Sequence, residues 1–157
     1  DAVCDAAGYD TYLPHRDGGL KAGPHTDFGA IFAAALAALE RAGLVVAVWN
    51  GPDVDSGTAW EIGFAYARGV PVIGLHAATD PRRSGPYRSL HWCVNRFPEV
   101  VRRQRGLELD QVRWSTRIEF PGVMDIIEID EVLATLDRLL ATPVEQRLAP
   151  ARLRRAL

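Results

Sequence analysis

Apolar and polar positions alternate along this chain with two distinct periods. Between residues 28 and 39, Phe28, Ile31, Phe32, Ala35, Leu36 and Leu39 recur at i, i+3, i+4, i+7, i+8 and i+11. That spacing predicts an amphipathic helix, capped by Asp27 and stopped at Gly43. The run "LVVAVWN" that follows is continuously apolar and β-branched, which predicts a strand buried on both faces. "GPDVDSG" reads as a turn, residues 58–68 as a helix closed by Gly69, and "VPVIGLH" as a second buried strand. Upstream, "DAVCDAAG" reads as the end of a helix stopping at Gly8, "YDTYLP" as a short alternating strand, and "HRDGGLKAGPHTD" as a loop. Strands and helices thus alternate with short connections. The pattern implies an α/β fold: one domain over 1–157, with a doubly wound parallel sheet flanked by helices on both faces.

Downstream the signal weakens. "TDPRRSGPYRS" is loop-like, "NRFPEVVRRQRG" predicts a helix starting near Pro98, and "GVMDIIEI" predicts a last short strand. Asp130 is the expected cap of a helix striped by Val132, Leu133, Leu136, Leu139 and Leu140. The Arg-rich end "RLAPARLRRAL" reads as a solvated helical tail.

Composition narrows the function. A net charge of -2 gives no reason to expect a nucleic acid polymer or an anionic membrane as partner. No run of about 20 apolar residues could cross a bilayer. Cys4 and Cys93 are far apart, without disulfide or metal spacing, so the reducing cytoplasm is the expected location. His15, His25, His76 and His91 show no ligand spacing, and no dinucleotide fingerprint is present, so neither metal nor cofactor is expected.

Candidate chemistry gathers at "WNGPDVDSGTAWE", where a buried strand hands over to a helix. In open α/β sheets ligands bind beyond the carboxyl ends of the strands. Gly51 and Gly57 permit a tight turn and close approach, and the amides of Gly57 and Thr58 suit an anion or a hydroxyl. Two readings of Glu61 stand side by side. Thr58 with Glu61 three residues on fits a capping box, which would make Glu61 a structural carboxylate. Alternatively Asp55 and Glu61 are two acids converging on a cleft, suited to glycosidic chemistry.

The stretch "GPDVDSGTAWEIGFAYARGVPVIG" resembles the central motif of the nucleoside 2-deoxyribosyltransferase family, and "GYDTYLPHRDG" is similar to the strand and loop that carry part of its base pocket. The resemblance implies a flavodoxin-like fold. It implies an enzyme that exchanges the nucleobase of a 2'-deoxyribonucleoside through a covalent glycosyl ester on Glu61. Asp55 would hold the sugar and the nucleophile. Asn50, Gly51, Gly57 and Thr58 would line the ligand, Arg16 and Asp17 would meet the base, and Asn95 would reach the sugar from a downstream loop. Arg16 and Asp17 are equally well read as an exposed loop ion pair. The partners implied are a nucleoside or nucleotide, a free nucleobase and further copies of the chain in a homo-oligomer.

Two departures qualify this. Ala35 stands where the family commonly has an acid that handles the base's proton, and the family's N-terminal strand is missing. About 10–30 further residues upstream are expected in the natural protein, enough for a strand and most of a helix. Two alternatives therefore stay open. One is an N-glycoside hydrolase of nucleosides or nucleoside 5'-monophosphates, with Arg82, Arg83 and Ser84 as candidate phosphate contacts. The other is a non-catalytic nucleotide-binding module. Tyr87 and Trp92 are candidates to stack on a base, although packing is the commoner role of such aromatics.

Overall fold

In the computed structural model, which describes residues 6, 8–18, 26–51 and 53–149, the chain divides into two compact units, residues 1–42 and residues 43–157. The expected helix end over residues 2–7 lies outside the described residues except for Ala6, as do most of the 18–25 loop and the Arg-rich tail from residue 150 onward.

In the first unit, α1 (Pro14–Asp17) is a single turn and α2 (Phe28–Arg41) a regular helix. The strand expected at "YDTYLP" does not form: residues 9–13 carry no ladder assignment and lead directly into α1. The reason is local. Pro14 sets φ for a first helical position, and the Asp17 carboxylate accepts from the Leu13 amide at 2.7 Å, so the turn outcompetes a strand. Asp27 caps α2 as expected, accepting from the Ala30 amide at 3.0 Å. Its apolar stripe is not buried, and Phe28 is 76% exposed.

The second unit is built on β1 (Val45–Trp49), β2 (Val72–His76) and β3 (Val94–Asn95), parallel and ordered β1-β2-β3 among the described residues. The register pairs Val45 with Val72 and Trp49 with His76, then Leu75 with Val94 and His76 with Asn95. All three strands therefore end together, at Trp49, His76 and Asn95. This parallel α/β arrangement with flanking helices is of the flavodoxin-like kind. The third strand was not visible in the sequence, because two residues are too few to show a period.

Helix α3 (Ser56–Arg68) packs Ile62 and Ala65 against Ala47, Trp49 and Val72 on one side of the sheet. Gly69, at φ 71°, closes it in the left-handed conformation that a Cβ disfavours. On the other side, α6 (Ile129–Ala141) packs Leu136 and Leu139 against Ile73 and Val94. β1 corrects an expectation here. Its inward residues Ala47 and Trp49 are buried, but Val46 and Val48 are 48% and 43% exposed, because α6 covers the β2–β3 side of that face.

A second cluster supports the segment after β2. Ala77 and Ala78 are buried with Phe97, Val100 and Val101 of α5 (Phe97–Arg105), together with Ile118 and Val123. The segment read as loop-like after β2 contains α4 (Pro81–Ser84), capped by Asp80, and a 3-10 stretch over Tyr87–Trp92. The strand expected at "GVMDIIEI" is instead a 3-10 turn, Val123–Ile126, entered through Gly122 at φ 79°. The cap of α6 is Glu128 rather than Asp130, in a reciprocal capping box with Glu131; this places Asp130 in the first turn.

Candidate active site at the carboxyl edge of the sheet

The cap of α3 decides how the acids at this edge are used. Asp55, not Thr58, is the N-cap. Its Oδ1 accepts from the amides of Gly57 at 2.9 Å and Thr58 at 3.1 Å, and its Oδ2 from the Thr58 hydroxyl at 2.6 Å. These bonds hold the Asp55 carboxyl below its ordinary range, the Thr58 hydroxyl bond being the largest contribution. Both amides considered as an anion site are thus spent on Asp55.

The capping-box reading of Thr58 and Glu61 is overturned by the same geometry. The helix begins at Ser56, so Glu61 lies in its second turn. Its carboxylate has no hydrogen bond or ion pair with any described residue. Glu61 is half-buried, and burial first, then the negative charge of Asp55, raises its pKa above the usual glutamate value. The neighbouring Ile62 and Ala65 fix this stretch of helix to the sheet. The result is an unspent carboxylate, partly desolvated, beside a second, fully engaged one.

The other expected residues fall as follows. Asn50 is exposed directly beyond β1, and Gly51 is half-buried, with a Glu119 carboxylate oxygen 4.0 Å from where a Cβ would stand. Asn95 ends β3, and its Oδ1 accepts from the Phe97 amide at 3.0 Å, so it serves the start of α5. The structure therefore brings Asn50, Gly51, Asp55, Gly57, Thr58 and Glu61 into one strand-to-helix junction, with Asn95 at the end of another strand. Arg16 and Asp17 belong to the first unit and grip each other: Nε to Oδ1 at 2.7 Å and Nη2 to Oδ2 at 2.8 Å. The Arg16 bond lowers the Asp17 pKa to about 2. Ala35 is a half-buried member of the α2 stripe.

The downstream candidates are mostly engaged elsewhere. Arg82 clasps Asp80, its Nε lying 2.9 Å from Oδ2. The buried Trp92 donates through Nε1 to the Arg147 carbonyl at 2.7 Å, as a packing residue does. Tyr87 is exposed and donates to the Arg83 carbonyl at 2.7 Å. Burial pushes the Cys93 thiol up to about 12, which removes it as a nucleophile near neutrality.

Three further residues shape this edge and gave no sign in the sequence. Trp49 and His76, paired in register at the strand ends, stack with ring centroids 4.3 Å apart and are fully buried. Gly74 makes room for them: a Cβ there would lie 3.0 Å from His76 Nε2 and from Cys93 Sγ, and 3.2 Å from the Trp49 ring. Burial lowers the His76 pKa to about 4, against the opposing charge of Asp80, so the imidazole is neutral at physiological pH. The third is Asp53. Its Oδ1 meets Arg83 Nη2 at 3.1 Å and its Oδ2 meets Arg117 Nη1 at 3.2 Å. An acid at sequence separations of 30 and 64 from its partners carries no local signature.

The chain is similar to several known proteins. An 85-residue stretch is 31% identical to the lipopolysaccharide core heptosyltransferase OpsX of Haemophilus influenzae, covering 54% of this chain and 24% of that protein. The chain thus spans about a quarter of the length of that curated relative. A conserved protein of Enterococcus faecalis with a solved structure is 25% identical, with a TM-score of 0.46 over 82% of this chain and 78% of that one. No helix among the described residues is long and apolar enough to cross a membrane. The family match runs over residues 1–111, which include the strand-to-helix junction with Asp55 and Glu61, and on that match the chain belongs to the nucleoside 2-deoxyribosyltransferase family.

Proposed function

We propose that the protein exchanges the nucleobase of a 2'-deoxyribonucleoside, with Glu61 as nucleophile. One observation carries this reading: at the carboxyl edge of the sheet, Glu61 is the half-buried acid whose oxygens are not spent on the fold, while its neighbour Asp55 is.

In the first step a Glu61 carboxylate oxygen bonds to C1' as the C1'–N bond breaks. The bonding pair leaves with the base, which takes up a proton. In the second, a nitrogen of another base attacks C1' and gives up its proton to solvent, the ester C–O bond breaks and the Glu61 carboxylate returns. Two inversions leave the sugar with retained configuration. Asp55, locked by three hydrogen bonds, contributes a fixed negative charge that favours the oxocarbenium-like transition state and raises the basicity of Glu61. The leaving base draws its proton from solvent or from another group. Assembly into a homo-oligomer belongs to the same proposal and is checked by light scattering.

The test is incubation with deoxyadenosine plus thymine or cytosine, followed by chromatography. New deoxynucleoside supports exchange. Free base and free sugar alone would replace it by hydrolysis. Absence of turnover, with nucleoside binding that survives Glu61→Ala, would reduce the protein to a binding module.

The electrostatics predict the pH profile. Glu61 attacks only when ionised, and its pKa lies above the usual glutamate value, so kcat/KM falls as pH drops through that raised value. Asp55→Asn retains a capping side chain but removes the second cause of the shift. The acid limb is expected to move to lower pH in this variant, together with a lower plateau. A limb that stays in place, measured by initial rates across the carboxylate range, would separate Asp55 from Glu61.

A further inference from the structure

We propose that Asp53 is a positioning residue: bridging Arg83 and Arg117, it fixes the loop between β1 and α3 that sets the direction of the Glu61 helix. The inference rests on the reading of Glu61 as nucleophile.

The loop over 50–55 leaves the sheet at its ligand edge, and Asn50, Asp53 and Asp55 in it are exposed. The bonds of Asp55 are all local, reaching no further than Thr58. They order the helix start but reach no other element. Two contacts tie the loop to the body of the unit: Val54 packs against the Ala47, Trp49, Ala65 and Val72 cluster, and the Asp53 carboxylate takes two guanidinium groups on opposite oxygens.

Both arginines rise from anchored backbone. Arg83 lies on α4, whose first residue Pro81 is buried and whose cap Asp80 accepts from the Arg82 amide at 2.9 Å. Its side chain is only 18% exposed. Arg117 precedes the buried Ile118, whose amide donates to the Ala78 carbonyl at 3.0 Å. The Arg82 guanidinium lies over the Trp114 ring at 5.8 Å, joining α4 to the segment that carries Arg117. Asp53 therefore couples the loop to the Ala77, Ala78, Phe97 and Ile118 cluster.

The Asp53 side chain is 60% exposed, so the pairs are worth little as stability. Their effect is geometric. An attacking carboxylate misplaced by about 1 Å loses on the order of 100-fold in rate.

The experiment compares wild type, Asp53→Asn, Arg83→Gln and the double variant in the base-exchange assay, with thermal melts and amide hydrogen exchange across 50–58. Asp53→Asn is expected to lower kcat about 10–100-fold with KM changed less than about threefold. Tm should move by less than about 2 °C, and exchange in the loop should accelerate. The double variant should be no worse than the poorer single one, and Asp53→Glu should recover part of kcat. Full kcat in Asp53→Asn, additive losses in the double variant, or unaltered loop exchange each overturn the proposal. If wild type shows no base exchange, the nucleophile reading fails by itself. Loop exchange then decides whether Asp53 holds the loop: acceleration in Asp53→Asn upholds the clamp and no change rejects it.

Discussion

Glu61→Gln is expected to lose base exchange by about 10⁴–10⁶-fold in kcat, the order seen when a member of a covalent catalytic unit is removed. The substitution keeps the shape of the side chain and exchanges an attacking oxygen for an amide, so binding of the nucleoside should survive. Stability should move the other way. The folded-state pKa of Glu61 is raised by burial and by Asp55, so the folded protein binds its proton more tightly than the unfolded chain. The protonated side chain carries no penalty below the ordinary glutamate range. A destabilising contribution develops as pH rises towards the folded-state value and persists at neutrality. Gln removes it. Because the group is only half-buried and solvent screens it, the gain is roughly 0.5 kcal/mol, or about 1–2 °C in Tm at pH 7. The difference should vanish at a pH below the carboxylate range. A chemically inactive but slightly firmer protein is the pattern of an acid kept for function. A Gln variant that melts lower and still turns over would show the opposite, that the side chain serves the fold. Mass analysis of a peptide adduct left by a 2-fluoro-sugar analogue places the covalent step on Glu61 or removes it from there.

Phe97→Ala is expected to be among the most damaging single truncations in the second unit, costing about 3–5 kcal/mol. Phe97 is 1% exposed and packs with Ala77, Ala78, Val100, Val101, Ile118 and Val123. Two small alanines among its neighbours cannot close the void by shifting rotamer, which puts the cost towards the upper end. At about 2–4 °C per kcal/mol for a chain of this size, Tm should fall by about 6–20 °C. The damage should also reach the carboxyl edge of the sheet, because the same cluster supports the 77–80 segment and the backbone next to Arg117. Urea unfolding of the variant, together with loop exchange at 50–58, tests both halves. A loss under 1.5 kcal/mol would mean that the cluster rearranges around the missing ring.

These residues also show what the sequence could reveal. α2 and α6 follow from periodicity, because each is long enough for its apolar positions to repeat; β1 and β2 follow from unbroken apolar runs, α3 from the glycine that closes it, and α5 from the proline at its start. β3 is two residues long and leaves no period to read. The tyrosine- and threonine-rich stretch before Pro14 has the composition of a strand, yet the proline and the Asp17 carboxylate give its end a turn. The "GVMDIIEI" segment is apolar enough for a strand, but Gly122 turns it into a 3-10 helix. At the site, Asp55 and Glu61 were recognisable together, while their division of labour was not: the sequence allows either Thr58 or Asp55 as cap, and only the observed hydrogen bonds choose. Asp53, Trp49 and His76 depend on partners distant in the chain, which no local spacing encodes.

β1 carries one more consequence. Its two half-open valines alternate along a strand that has a ladder neighbour on one side only, among the described residues. A strand edge that carries exposed β-branched side chains is a template on which a foreign extended segment can grow. A lysine at position 46 or 48 would act as a gatekeeper on this strand.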